Sequence, residues 1–207
     1  MNKKRRIAFL LAVLFCLSAV TFVAVAKYIK DVPYTGNVTF KADLVETFTL
    51  TETKAERQTS GSYILSGEQV TQNSYTLMPG VDVPKDPKIT IKGKTTVPAY
   101  LYVEICPDLP ATDTVTYGIM PHWKALGIKG PHGGDVYVYA FPDGEVIILD
   151  GTVKDLTLPI IDKEILYVSD TLDRGTTATM TFYGYMAQQV SAYANATDTF
   201  TANFPAP

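Results

Sequence analysis

The 207-residue sequence has only two cysteines, two histidines and one tryptophan. The positions of the two cysteines argue against a stabilising disulfide in the folded domain. Cys16 lies in an apolar run at the N-terminus, which leaves Cys106 alone in the rest of the chain. A protein exported without that run would have no intramolecular disulfide. It must then depend on backbone hydrogen bonds and on a hydrophobic core of ordinary size, which a single domain of about 180 residues can build.

The scarcity of histidine and the absence of two sequence motifs bear on catalysis. His122 in "PHW" and His132 in "PHGG" adjoin prolines in predicted loops, and neither has a glutamate at the spacing of H-E-x-x-H. No G-x-S-x-G sequence is present. We interpret both histidines as solvated loop residues and Cys106, which precedes Pro107, as a core or strand-end thiol. The sequence therefore predicts a protein that is not an enzyme and that needs no cofactor.

The N-terminus has the pattern of an export signal. Four consecutive basic residues precede an uncharged apolar run of 19 residues, 7–25. Ala24 and Ala26 form the small-x-small pair of a signal-peptidase site, so cleavage is predicted between Ala26 and Lys27. The run is also long enough to span a bilayer, so an uncleaved membrane anchor is the alternative. The predicted organisation is a signal peptide over residues 1–26, an extension over 27–36 and one domain over 37–207.

The charge of the processed chain argues against nucleic-acid partners. Removal of residues 1–26 takes four of the 18 basic residues and none of the 21 acidic ones, which changes the net charge from −3 to −7. A chain with this balance lacks the basic surface that binds nucleic acids or anionic membranes. We therefore predict no nucleic-acid partner, and a membrane contact only through the unprocessed signal.

Short segments in which apolar and polar residues alternate recur along the mature chain, as in β-strands with one buried face. Turn signals rich in glycine, proline and aspartate separate them, and helical periodicity is confined to residues 187–196 and 160–168. The segments begin near Val38, Phe48, Ile89, Ala99, Asp135, Glu145 and Thr176. The pattern predicts an all-β fold, a jelly-roll-like antiparallel β-sandwich with an N-terminal signal helix and little other helix.

Two local predictions follow from the same pattern. In the segment that begins at Ala99, Leu101, Val103 and Ile105 share one parity and are expected to face the core between the sheets. The polar stretch over residues 58–72 is expected to form a loop or an edge hairpin.

Acidic residues crowd the second half of the chain, where they raise the question of calcium. Extracellular sandwiches often hold hard cations through carboxylate oxygens, but no D-x-D-x-D-G loop is present. Most of these residues occupy turn positions, which aspartate favours for backbone reasons. We interpret them as a solvated acidic face, with calcium binding as the lesser alternative. They are Asp143, Glu145, Asp150, Asp155, Asp162, Glu164, Asp170 and Asp173.

The stretch "MPGVDVPKDPKITI", residues 78–91, places three prolines and a glycine directly before a strand-like segment. Pro79 and Gly80 suit a turn, and the later prolines hold the residues before them extended. Because proline lacks a backbone donor, the stretch is predicted to be a stiff, non-pairing crossover between the two sheets. Pro98 repeats the device before the next strand.

The order of residues from Leu77 to Ile105, "LMPGVDVPKDPKITIKGKTTVPAYLYVEI", resembles the TasA/camelysin family of exported proteins. Two further features agree: the signal ends in "VAKYIK", similar to signals handled by the family's dedicated signal peptidase, and "TMTFYGYMAQQVSAY" looks like its last strand. The strongest part of the resemblance covers about thirty residues, with the motif at the crossover and at the next strand. The matching positions are Met78, Pro79, Gly80, Lys85, Pro87, Pro98, Ala99 and Tyr100.

The resemblance implies a secreted jelly-roll-like sandwich that assembles into extracellular biofilm-matrix fibres. Its expected partners are further copies of the chain, joined head to tail, a signal peptidase and an accessory anchoring protein. In such family members the freed N-terminal segment completes the sheet of the next subunit. Here residues 27–36 offer that segment, with Tyr28, Ile29, Val32 and Tyr34 as apolar anchors. A floppy terminus or a short tether is the alternative, and Pro33 would have to turn its missing donor outward.

Two other functions stay open at this point. A glycan- or ligand-binding surface module is favoured by the 13 tyrosines and Trp123, since Tyr100 with Tyr102 and Tyr137 with Tyr139 share strand faces. Tyrosine is equally a preferred strand residue, so the same pairs suit cross-strand packing. A surface metalloprotease, an activity described for camelysin-type relatives, is the lesser alternative because the zinc-binding motif is missing.

Overall fold

The computed structural model describes residues 45, 47–95, 97–110, 114–151, 154–189, 191–193 and 195–206, and the backbone alone of 29–32 and 38–39. The predicted cleavage residues Ala24, Ala26 and Lys27 lie outside these ranges, as do Tyr28 and Tyr34. The division of the chain at residues 26 and 36 therefore stays a prediction. In the described part of the chain no helix is long and apolar enough to cross a membrane.

The regular structure of the described chain consists mainly of antiparallel strands, which confirms the predicted all-β sandwich. One 3-10 turn, Asp162–Glu164, and one short helix, α1 (Ala196–Asn203), accompany them. The strands are β1 (Ile29–Val32), β2 (Val38–Thr39), β3 (Thr47–Arg57), β4 (Tyr63–Val70), β5 (Ser74–Thr76), β6 (Val83–Pro84), β7 (Lys88–Lys94), β8 (Ala99–Asp108), β9 (Val115–Thr116), β10 (Trp123–Lys129), β11 (Asp135–Tyr139), β12 (Lys154–Pro159), β13 (Ile165–Val168) and β14 (Thr177–Gln188).

The strands form three sheets rather than two. A six-stranded sheet has the order β1-β14-β8-β11-β10, with β5 also paired to β14. A five-stranded sheet has the order β12-β7-β3-β2, with β4 also paired to β3. A small sheet of order β6-β13-β9 joins strands that the alternation pattern does not single out.

The main core lies between the two large sheets. Phe48 and Ile89 come from the five-stranded sheet and pack with Leu101, Val103 and Ile105 of β8, all almost fully buried. The parity predicted for β8 is therefore confirmed. Burial of alternate branched side chains from both sheets gives the hydrophobic contribution that holds a sandwich together.

A second core covers the outer face of the six-stranded sheet. Tyr102 and Tyr185 are completely buried there beneath Phe200 and Phe204 of the C-terminal segment. The Tyr102 ring lies 5.0 Å from the Phe200 ring in an edge-to-face arrangement, which is favourable for aromatic pairs. Both faces of the sheet are thus buried, which explains why β8 is apolar at nearly every position.

The helix lies one segment later than the periodicity predicts. The helical periodicity over residues 187–196 does not form a helix at its start, because Ala187 and Gln188 continue β14 and pair with Tyr100 and Ala99 of β8. The helix begins after Asn195, whose side chain accepts a hydrogen bond from the Asp198 amide and caps the first turn. The pattern over residues 160–168 likewise becomes the 3-10 turn and β13.

The structure confirms one part of the prediction for residues 78–91, the proline-rich stretch, and corrects another. Met78 and Val81 bridge across a turn in which Gly80 has φ +66°, a conformation that glycine adopts without strain. The prediction that this stretch does not pair is wrong, since Val83 and Pro84 form β6 and pair with β13. The Lys85 backbone amide also donates a hydrogen bond to the Glu164 carbonyl at 2.7 Å. Proline lacks only the donor, and the Pro84 carbonyl still accepts a hydrogen bond from the Tyr75 hydroxyl.

Residues 58–72 form the edge hairpin that their polarity predicts. β4 pairs only with β3 among the described strands, and most of its side chains are exposed, including Ile64 and Leu65.

Candidate functional site

The last long strand, β14, has two different sides in the six-stranded sheet. On one side it pairs with β8 over ten residue pairs, from Thr179 opposite Asp108 to Gln188 opposite Ala99. On the other side β5 covers Thr177 to Thr179, and β1 covers Gly184 to Ala187. We call this second side, with its two short partners, the β14 edge.

The predicted donor segment lies on the β14 edge of its own chain. β1 runs antiparallel to β14, with Ile29 opposite Ala187 and Val32 opposite Gly184. Of the four predicted anchor residues, Ile29 and Val32 are therefore in β1, and Tyr28 and Tyr34 lie outside the described residues. The contact rests on the main-chain hydrogen bonds of a ladder, the usual source of affinity when a strand is added to a sheet.

A glycine shapes the β14 edge where β1 pairs. A Cβ atom built on Gly184 would lie 2.9 Å from Cζ of Phe48, a separation too short for two carbon atoms without a shift. The missing side chain lets the Phe48 ring of the five-stranded sheet contact β14 directly. The second sheet is thus packed tightly behind the residue that faces Val32 of β1.

The second half of the motif shared with the TasA/camelysin family, Pro98 to Tyr100, lies next to the end of β14. Ala99 and Tyr100 pair with Gln188 and Ala187 across β8, and the Gln189 amide donates to the Pro98 carbonyl at 2.8 Å. The Gln189 side chain donates to the Tyr100 hydroxyl at 3.2 Å. Ala187 therefore has Tyr100 on one side and Ile29 on the other, so Pro98, Ala99 and Tyr100 position the section of β14 that β1 covers.

The other half of the motif, from Met78 to Pro87, lies elsewhere. Met78, Pro79 and Gly80 form the turn described above, and the Gly80 amide donates to the Ser169 carbonyl. The Pro87 carbonyl accepts from the Ile160 amide at 2.9 Å and so ties the start of β7 to the end of β12.

Lys85, the charged residue of the motif, is completely buried and forms an ion pair that the sequence does not predict. Its Nζ lies 2.7 Å from Oε2 and 3.0 Å from Oε1 of Glu52 on β3. Burial raises the pKa of Glu52 and lowers that of Lys85, while their mutual attraction opposes both shifts. Glu52 occupies a polar-looking position in "TLTETK", so only the isolated lysine among prolines hints at the pair.

A neighbouring polar group extends this cluster toward the surface. Asp86 accepts hydrogen bonds from the amide and hydroxyl of Thr53 at 2.7 and 2.6 Å and pairs with the half-exposed Lys88 at 3.1 Å. The backbone amide of Asn73 donates a hydrogen bond to Glu52 Oε1 at 2.6 Å. These bonds hold β3, β5 and the proline-rich stretch together.

A second buried carboxylate, Glu104 on β8, lies on the outer face of the six-stranded sheet. It accepts hydrogen bonds from the amides of His132 and Gly134 and from the Tyr185 hydroxyl, and its Oε2 lies 3.1 Å from His132 Nδ1. The His132 ring stacks on Tyr183 with centroids 3.5 Å apart. His132 is thus an exposed turn residue, as predicted, but its ring is also held by a buried acceptor on β8, which the sequence does not predict.

The remaining residues singled out for chemistry are also accounted for. His122 Nε2 lies 2.8 Å from the Pro159 carbonyl, and burial lowers the pKa of this half-buried histidine, so its interpretation as a solvated residue is wrong. Cys106 lies near the end of β8, as predicted, and burial raises the pKa of its thiol to about 12. Such a thiol is a poor nucleophile, since the thiolate is the reactive form.

Metal ligands are not brought together in the described ranges. There, no group of three or more histidine, cysteine, aspartate or glutamate side chains is placed to hold a metal ion. Two of the acids considered for calcium bind backbone amides instead: Asp155 accepts from Gly93 and Asp143 from Glu145.

The tyrosines considered for a glycan platform face the two cores. Tyr100 and Tyr102 belong to the core beneath α1, and Tyr137 and Tyr139 pack partly against the core between the sheets. Burial raises the pKa of both Tyr137 and Tyr139.

Comparisons with protein-family models, with curated proteins and with solved structures found no match, so none of them identifies the TasA/camelysin family.

Proposed function

We propose that the protein is a secreted structural subunit that polymerises into extracellular matrix fibres by exchanging β1 between neighbouring chains. The observation that carries the proposal is the place of β1, a four-residue strand on the β14 edge. Signal cleavage before Lys27 would leave this strand next to a free N-terminus. The resemblance to the TasA/camelysin family adds to the proposal and does not carry it.

The same ladder can form within one chain or between two. A strand that leaves its own β14 and pairs with the β14 of a neighbour keeps every pair of the register. Such an exchange is domain swapping, and a head-to-tail contact that does not close on itself generates a filament. Within one chain the local concentration of β1 is high, so exchange becomes favourable when exported subunits accumulate.

The connection after β1 suits this exchange. β1 ends at Val32 in the six-stranded sheet and β2 begins at Val38 in the five-stranded sheet, so five residues of the sequence separate strands that belong to different sheets. Pro33 directly follows β1 and cannot donate to a continued ladder. The ladder of β1 is thus limited at this end, and β1 can be withdrawn as a unit while β2 stays in place.

Cleavage of the signal would control assembly. While residues 1–26 remain attached, the segment 27–36 is tied to an apolar run that enters the membrane, which restrains it from reaching a neighbour. After cleavage it is free, so filaments would form only outside the cell. The signal peptidase and an accessory anchoring protein are the further partners of this proposal.

Deletion of residues 27–36 from the secreted protein tests the proposal. The truncated protein should fold, remain monomeric and fail to form filaments in electron micrographs, while the cleaved full-length protein forms them. A synthetic peptide of residues 27–36 should bind the truncated monomer and raise its melting temperature by occupying the vacant edge. The same peptide with prolines in place of Lys30 and Asp31 is the matched control and should have no effect.

Two results would contradict the proposal. Filaments of normal length from the truncated protein would show that another surface drives assembly. A full-length, cleaved protein that stays monomeric at high concentration and binds glycans would favour the surface-module function instead.

A further inference from the structure

The Lys85–Glu52 pair differs from the other ion pairs of the described residues by its complete burial. The side chains of Lys85 and Glu52 are 0% and 3% exposed. The rings of Tyr75 and Phe182 lie 5.6 and 5.4 Å from Lys85 Nζ and help to exclude water from it. The two groups come from distant parts of the chain, 33 residues apart, and meet in the core between the sheets.

The environment draws both groups toward their neutral forms. Burial disfavours charge, so it raises the pKa of Glu52 and lowers the pKa of Lys85. The mutual attraction of the two groups and the two nearby rings oppose these shifts and favour the ion pair. Transfer of one proton from Nζ to the carboxylate converts the ion pair into an amine and a carboxylic acid.

The two oxygens of Glu52 have different surroundings. Oε1 accepts hydrogen bonds from the Asn73 backbone amide at 2.6 Å and from Lys85 Nζ at 3.0 Å, and the Asn73 bond polarises this oxygen as a carbonyl. Oε2 has no hydrogen bond within the described part of the chain and contacts only the Lys85 Nζ as an ionic partner. Oε2 is therefore the oxygen suited to take the proton and leave, and Oε1 the one suited to bear negative charge.

From this geometry we propose that Lys85 and Glu52 condense into an intramolecular amide, a covalent link between β3 and the stretch that precedes β7. The Nζ lone pair forms a bond to Cδ of the protonated carboxyl, and the Asn73 amide stabilises the charge on Oε1. The Cδ–Oε2 bond then breaks, and the hydroxyl leaves as water with a proton from the nitrogen. No oxidant, reductant or other reactant is needed.

Confinement makes the condensation effectively unimolecular and so lowers its barrier. Amide formation between a free amine and a free acid is unfavourable in water, but groups held in contact react with effective concentrations on the order of 10⁵–10⁸ M. The water released leaves an apolar site, which opposes the reverse reaction. The link would close the loop between residues 52 and 85, which includes the β3–β4 hairpin and β5, and would strengthen a subunit under tension in a fibre.

The chain contains its own control for this chemistry. Lys54 and Glu68 lie 2.9 Å apart, similar to the buried pair, but their side chains are 43% and 63% exposed. Hydrogen bonding to Glu68 raises the pKa of Lys54, which favours the ammonium over the nucleophilic amine. This pair should remain unlinked under conditions in which Lys85 and Glu52 react.

Peptide mapping of the secreted, denatured protein tests the link. Trypsin cannot cleave after a lysine whose amine is blocked, so residues 58–88 should appear as one peptide, uncut at Lys85. That peptide should be joined to residues 42–54, which contain Glu52, with a mass lower than the sum of the two by one water. Lys85→Arg and Glu52→Ala should each abolish the joined peptide, and the matched controls Lys88→Arg and Glu68→Ala should retain it.

Three results would overturn the assignment. Separate peptides of full mass from the folded protein would show that the pair remains ionic. A loss of one ammonia confined to residues 58–88 would place the link on Asn73 rather than on Glu52. A joined peptide that persists in Lys85→Arg would assign the link to another residue. The readout does not depend on filament formation, so it can fail or succeed independently of the proposed function.

Discussion

The two edges of the six-stranded sheet are protected in different ways. At one edge, β10 carries the exposed lysines Lys124 and Lys129, and its pairing with β11 is shifted between Ala125 and Lys129 around Gly127, which has φ +69°. At the other, the β14 edge is regular and is covered by two short strands, β5 and β1. Charge and an irregular backbone discourage pairing at β10, whereas the β14 edge depends on strands that cover it.

Under the proposed function, this difference favours the β14 edge as the one used in assembly. An edge guarded by its own lysines and bulge offers a poor template to any strand. An edge covered by a four-residue strand presents a regular ladder as soon as that strand leaves. If one edge resists pairing and the other accepts a strand, a filament can grow in a defined direction. The lateral association that unprotected sheet edges undergo is then avoided.

The largest effect is expected from breaking the β1 ladder without shortening the chain. Neighbouring residues of an antiparallel strand direct their amides to opposite sides, so Lys30→Pro together with Asp31→Pro must remove a donor that faces β14. We expect the cleaved double variant to fold and to lose filament growth, measured by electron microscopy and sedimentation. Lys30→Ala with Asp31→Ala keeps the donors and should still assemble; equal assembly by both variants would show that the ladder is not used.

The next largest effect is expected in the core that supports both edges. Leu101 is completely buried in β8, so Leu101→Ala should lower the free energy of unfolding by about 2–5 kcal/mol. Leu65 on the exposed edge hairpin is 37% exposed, and Leu65→Ala should change it by less than about 0.5 kcal/mol. Urea denaturation of monomers would measure both. Similar losses for the two variants would contradict the assignment of the core.

A smaller effect is expected at Gly184, where the β14 edge contacts the second sheet. The added methyl of Gly184→Ala would meet Phe48, so the free energy of unfolding should fall by about 1–3 kcal/mol. Phe48→Leu removes the clashing atom, so the double variant should lose less than the sum of the two single losses. Strict additivity in urea denaturation would show that the two residues do not restrict each other.

The smallest change in stability, with a visible change in solubility, is expected at β10. Lys124→Val with Lys129→Val removes the exposed charges of this edge and should alter the free energy of unfolding by no more than about 0.5 kcal/mol. Light scattering should nevertheless show lateral association. Lys92→Val with Lys94→Val is the matched control, since these exposed lysines lie on β7, which has partners on both sides. Equal scattering from both pairs would attribute the effect to lost charge alone.

Local pattern predicted one face of the sheet and missed the other. The parity of Leu101, Val103 and Ile105 follows from alternation within a single strand, and the structure confirms it. Tyr102, between Leu101 and Val103, faces α1 instead, and its hydroxyl donates to the Ala196 carbonyl, 94 residues further along the chain. Nothing in the sequence around Tyr102 indicates that such a cover exists.

The buried polar contacts could not be predicted from the sequence, again because the partners are far apart along the chain. Glu104 meets His132 across 28 residues and Tyr185 across 81, and Glu52 meets Lys85 across 33. Each of these residues alone is typical of a solvated strand or loop position. The partners meet only because β8 pairs with β11 and β14 and because the proline-rich stretch returns to β3.

The most direct test of strand exchange is a disulfide between chains at one position of the β1–β14 register. Ile29→Cys and Ala187→Cys, made in separate proteins that also carry Cys106→Ala, place thiols at opposed positions. Opposed residues of neighbouring strands lie within the distance that a disulfide requires. Filaments grown from an equal mixture and then oxidised should contain covalent dimers that neither variant forms alone. Two results together would contradict exchange and show that β1 stays on its own subunit. The mixture would form filaments without covalent dimers, and a chain that carries both substitutions would form an intrachain disulfide.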